Sequence, residues 1–109
     1  MTPEAQRIAI AEARGYPNPR MGEFNRCYAG ELPNLEEVPD YLNDLNAMNE
    51  AFKTLRLVDQ CRWHEELRGV LKRASAHNVD EGSIDWLCDN ATASQRAEAF
   101  LRTLGLWKE

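Results

Sequence analysis

With 109 residues, 43% of them hydrophobic and 28% charged, the chain is long enough to bury one core and too short for two, so residues 1–109 read as a single domain. A formal net charge of -5 opposes nonspecific attraction to a phosphate backbone, and three each of Trp, Tyr and Phe argue against a disordered chain. Cys27, Cys61 and Cys88 cannot all pair, no apolar run approaches a bilayer span, and neither a basic leader nor an apolar signal core opens the sequence. The expected compartment is a reducing cytoplasm, with no membrane partner.

The first helix is expected to begin at Pro3, capped by Thr2 with Glu4 near the positive end of the backbone dipole, and to stop at Gly15. Ala5, Ile8 and Ala9 offer one core face, which Ile10 and Ala11 broaden. Residues 16–39 change character, because Pro17, Pro19, Gly22, Gly30, Pro33 and Pro39 interrupt helix. They read as an organised connector with room for a short hairpin, tethered by Phe24, Cys27, Tyr28 and Leu32. A tethered loop on a rigid scaffold is a natural place for contact with a partner.

From Asn43, a candidate cap, Leu45, Met48, Phe52 and Leu55 recur at helical spacing. A third helix is expected from about Asp59 to Ala74, with Trp63, Leu67, Val70, Leu71 and Ala74 on its apolar stripe. Ser75–Ala91 is less periodic and fits a short helix or strand anchored by Ile84, Trp86 and Leu87. Thr92 to Gln95 fits a capping box, after which Ala97, Phe100, Leu101 and Leu104 form the last stripe, leaving Arg96, Glu98, Arg102 and Thr103 toward solvent. Gly105 should release a tail carrying Trp107, which either folds back as a structural plug or occupies a pocket in a partner. Amphipathic helices bury such stripes only by packing together, so the expected fold is mainly α, a compact small bundle with a possible minor β-hairpin; the alternative is an α+β layered fold.

The strings YLNDLNAMNEAFKTL at Tyr41–Leu55 and ATASQRAEAFLRTLGLWKE at Ala91–Glu109 resemble segments of small tailed-phage or prophage proteins, some of them similar to the phage ABA-sandwich family. The opening RIAIAEARGY resembles their first helix. This resemblance implies a viral or prophage origin and a role in the bacterial host cell; it supplies no catalytic or cofactor residue to carry over. Asn49 stands where similar sequences often have a histidine.

Catalytic patterns are incomplete. Cys61 and His64 share a helical face at metal-ligand spacing, but Cys27, Cys88 or His77 would have to complete the site, and no second compact ligand pair exists. His64–Glu65–Glu66 lacks the second histidine of a zinc hydrolase helix, since Arg68 stands in its place. No glycine-rich loop precedes a lysine and hydroxyl residue as a triphosphate requires, and the cluster Arg68, Lys72 and Arg73 is the single candidate for phosphate contact. The chain is therefore expected to need no metal or other cofactor and to act without catalysis, as an accessory protein that binds a phage or bacterial host protein. The alternative role is inhibition of an anti-phage defence complex. Tyr28, Trp86 and Trp107 are the candidate contact residues, because an exposed aromatic side chain carries much of the energy of a protein interface.

Overall fold

The computed structural model describes residues 1–74 and 81–109. Five helices and a three-stranded antiparallel sheet occur among them: α1 (Pro3–Ala13), β1 (Arg20–Met21), β2 (Cys27–Ala29), β3 (Glu36–Val38), α2 (Leu45–Lys53), α3 (Leu57–Ala74), α4 (Glu81–Asp89) and α5 (Ala93–Thr103). The fold is mainly helical with a minor sheet, as the stripes require. Three strands of two or three residues form a meander beside the helices, not the broad sheet of a layered fold.

α1 begins where expected, with Thr2 Oγ1 accepting from Ala5 N at 3.1 Å, and the chain leaves it through Gly15 at φ +91°. Its buried face differs. Gln6, Arg7, Ile10 and Ala11 turn inward, whereas Ala5, Ile8 and Ala9 are half-buried and line an apolar hollow against Leu106 of the tail. An arginine on the inward face is tolerated because its charge finds partners there, as described below.

The connector forms the sheet, with Cys27 and Ala29 of β2 fully buried and Cys27 paired to Val38 of β3. Two of its expected anchors are not anchors: Phe24 and Leu32 sit at the tips of the two turns, 87% and 82% exposed. Asp44, not Asn43, caps α2 through Oδ1 to Ala47 N at 3.1 Å, because Asn43 spends its carboxamide on Asp40 Oδ2 at 2.9 Å. Leu45, in the first turn of α2, stays exposed while Met48, Ala51 and Leu55 are buried. α3 starts two residues earlier than expected, leaving Leu57 and Val58 exposed, and Ala74 at its end is exposed as well. The doubtful segment is helical from Glu81 to Asp89, with Ile84 buried, Leu87 half-buried and Trp86 outside the core.

α5 is the central element and packs on α1, α2 and α3. A helix with neighbours on several sides needs small side chains, and Ala93, Ala97 and Ala99 are buried beside Phe100 and Leu101. The capping box forms, with Gln95 N donating to Thr92 Oγ1 at 3.1 Å and Thr92 N to Gln95 Oε1 at 2.9 Å. Thr103 was expected in solvent and is buried. Its hydroxyl donates to its own helix at Ala99 O, 2.7 Å away, which removes the desolvation penalty.

Arg96 also departs from the solvent-facing expectation. Its guanidinium donates to Cys88 O, Asp89 O and Ala91 O at 3.2–3.3 Å, binding carbonyls at and just beyond the end of α4. It lies 5.9 Å from the Trp63 ring, whose Nε1 donates to Arg96 O at 3.3 Å. Trp63 is buried, Phe52 stands tilted against it at 4.6 Å, and Leu67 and Phe100 complete the predicted core, with Phe52 and Leu104 half-buried at its margin.

Tyr41 is the largest fully buried side chain, and burial, reinforced by the neighbouring Tyr16 hydroxyl, pushes its phenol up to about 12. Stability should therefore hold below about pH 10 and fall as pH rises toward 12, by up to roughly 1.4 kcal/mol per pH unit, because the unfolded chain loses the proton that the folded chain retains. Reversible absorbance titration checks this: a phenolate fraction belonging to Tyr41 should appear in the folded chain only as pH rises toward 12, and its appearance near pH 10 would contradict it.

Candidate functional site

The β1–β2 connection is a tight turn in which Gly22 N donates to Arg26 O at 2.7 Å. Closing it puts Phe24 at φ 57°, ψ 32° and Asn25 at φ 58°, both left-handed. Asparagine tolerates that region; a bulky phenylalanine does so only under strain of order 1 kcal/mol or more. Its ring gains nothing from burial in exchange, since it projects into solvent.

The turn is held from α1. Arg7, with its side chain only 6% exposed, donates from Nη1 to Asn25 O at 2.7 Å. Asp40, which follows β3, places Oδ1 3.6 Å from Arg7 Nε: an ion pair longer than a hydrogen bond, with neither atom otherwise satisfied. A cleft of about 510 Å³ opens beside this pair, lined by Arg7, Phe24, Asn25, Arg26, Glu37, Val38, Pro39 and Asp40. A second hollow of about 230 Å³ shares Arg7, Asn25 and Asp40 and extends to Glu4 and Leu42. The cleft thus combines a projecting aromatic ring and charges of both signs with the smaller apolar surfaces of Val38 and Pro39.

The expected contact residues fall on three different elements. Tyr28 is half-buried on the central strand, and its ring lies over Gly22 so closely that a Cβ there would come within 2.8 Å of it. Trp86 stands 64% exposed on α4, next to Asp85, whose carboxylate pairs with Arg68 of α3. Trp107 folds back half-buried against the core, with the Arg102 guanidinium 4.9 Å from its ring and Glu98 holding Arg102 at 2.8 Å. Of the three, Trp86 is the one displayed to solvent as a contact residue would be.

Residue spacing alone does not bring Phe24, Arg7 and Asp40 together as a site. A signal for Arg7 was present: it lies three and four positions before Ile10 and Ala11, a charge on the buried stripe. Nothing in the residue types marks Phe24 as left-handed.

For the metal and thiol chemistries, Cys61 and His64 are both exposed on α3, with His64 edge-on to Phe52 and Trp63, while Cys27 is buried in β2 and Cys88 half-buried on α4. His77 lies outside the described residues, and among the described residues no three such donors gather. Burial pushes the Cys27 and Cys88 thiols up, partly offset by Arg7 and Arg68 respectively, so neither is poised as a thiolate nucleophile. Of the basic cluster, Arg68 pairs with Asp85 and Arg73 lies 3.6 Å from Glu98, while Lys72 is exposed. Among the described residues no helix is long and apolar enough to cross a membrane.

No family model, curated protein or solved structure matches the chain.

Proposed function

We propose that this chain is a non-enzymatic phage or prophage accessory protein that works in the bacterial host cytoplasm by binding another protein. The phage origin rests on the resemblance carried by Tyr41–Leu55 and Ala91–Glu109. One observation carries the binding role: Phe24 is held in a left-handed turn by a buried arginine and projects its ring, 87% exposed, at the mouth of a cleft. A costly conformation that presents an apolar ring to water stabilises nothing in the free chain, whereas an aromatic side chain on a fixed backbone contributes to an interface with little backbone entropy left to lose. Trp86 supplies a second exposed aromatic on α4.

Phe24→Gly separates folding from binding. Glycine relieves the left-handed strain, so the variant should be more stable than the parent by roughly 0.5–1 kcal/mol in urea denaturation. In affinity capture from the bacterial host, the parent should retain a stoichiometric protein partner that Phe24→Gly loses. A defence-complex component in that position favours antagonism, and a phage protein favours assembly. Reproducible absence of any protein partner, or a partner held equally by Phe24→Gly, sinks the proposal.

A further inference from the structure

The outer edge of β3 forms one wall of the Phe24 cleft, through Glu37 and Val38. The direction of its backbone groups follows from its neighbours. Gly22 N donates to Arg26 O and Gly30 N to Pro17 O, each at 2.7 Å, so the even-numbered positions of β2 and its flanks aim their backbone groups toward β1. Cys27 and Ala29 then aim theirs at Val38 and Glu36, their register partners, and strict alternation turns the N–H and C=O of Glu37 outward. In the sheet order β1-β2-β3 no further strand pairs with that edge among the described residues.

The chemistry of the edge restricts what can add to it. Glu36 and Glu37 are both exposed there. Their side chains lie on opposite faces of the strand, so pairing with a second copy of the same edge would oppose like carboxylates on each face, and a net charge of -5 opposes self-association further. The same carboxylates attract a strand bearing lysine or arginine. Arg26 leaves room for it, since its Nε stands 3.8 Å from Glu37 Oε1 with both side chains 58% exposed, an open pair without a hydrogen bond. A cation arriving beside Glu37 also enters the cleft that the Phe24 ring lines, where the aromatic face and the Asp40 carboxylate favour it against the repulsion of Arg26 and of Arg7, the latter already engaged with Asn25 O and Asp40.

We infer that the outer edge of β3 receives an extended, basic segment of a partner protein, which pairs its backbone with Glu37 and places a lysine or arginine between Glu37 and Phe24. This rests on the protein-binding reading above and names the kind of partner that the edge selects. The mode is strand addition, in which the main chain supplies affinity and alternate side chains supply selectivity.

The probes are two blocked hexapeptides, one alternating lysine with valine and one alternating glutamate with valine, titrated into the ¹⁵N-labelled full chain. The basic peptide should shift the amide resonances of Leu35–Val38 and slow exchange of the Glu37 N–H by about fivefold or more, while the acidic peptide leaves both unchanged. The double variant E36K/E37K should reverse that preference. The inference is overturned if the basic peptide leaves these amides unmoved, if the acidic peptide moves them equally, or if the shifts lie on other elements. A captured partner that is lost with Phe24→Gly yet leaves Glu37 exchange unchanged also overturns strand addition, while protein binding stands; absence of any partner overturns protein binding itself.

Discussion

Trp63→Ala should destabilise the fold by about 3–5 kcal/mol, the largest single-residue effect expected in this chain. The side chain is 4% exposed and lies between α3 and α5, packed against Phe52 with the Arg96 guanidinium 5.9 Å from its ring. Truncation removes a large apolar surface, leaves a cavity that rigid helix backbones cannot close, and strips Arg96 O of its indole donor. It also removes the ring over which Arg96 reaches to the end of α4, so α4 should loosen with the core. Urea denaturation measures the effect, and hydrogen exchange of α4 amides locates it. Trp63→Phe, which keeps an aromatic ring but lacks the Nε1–H, should recover most of the loss. A shift below about 1 kcal/mol for Trp63→Ala would contradict the burial described here.

Arg7→Leu should cost about 2–4 kcal/mol, less than Trp63→Ala but with a more local signature. The substitution keeps an apolar stem on the inward face of α1 while deleting the 2.7 Å hydrogen bond to Asn25 O and the counter-ion of Asp40. Because Asp40 keeps partial access to water, its stranded charge is penalised less than a fully buried one. The main loss is the clamp on the turn. With Arg7 gone, nothing on α1 holds Phe24 and Asn25 in their left-handed conformation, so their amides should exchange faster while those of α3 and α5 change little. Arg7→Lys tests the geometry, since an ammonium carries the charge without the planar fork and should recover only part of the stability. Unchanged exchange at Phe24 and Asn25 in a folded Arg7→Leu chain would show that the clamp does not hold the turn.

The binding proposed for the Phe24 cleft depends on how that clamp and the β3 edge meet. The helix supplies rigidity, the turn supplies an aromatic knob, and the strand supplies backbone groups with two carboxylates beside them. Each element is ordinary alone. Their juxtaposition is the observation on which the proposed binding role rests.

Local rules alone determined where most of the helices lie. Thr2 and Thr92 cap as their side-chain oxygens dictate, Gly15 ends α1, and the spacing of Met48, Trp63, Leu67, Phe100 and Leu101 marks faces that are indeed buried. These features depend on contacts within about one helical turn, so the order of residue types carries them. Tertiary structure decided the rest. Which flank of α1 turns inward depended on a carbonyl at Asn25 and a carboxylate at Asp40, residues brought to Arg7 only by the meander. Thr103 and Arg96 left solvent because α5 is surrounded by α1, α2 and α3 and lies beside the end of α4. Phe24 became a knob instead of an anchor because pairing β1 with β2 fixed the turn between them, and backbone closure, not side-chain hydrophobicity, set where its ring points. A buried charge and a strained residue are favourable only through partners distant in sequence, and hydrophobic periodicity is blind to those partners.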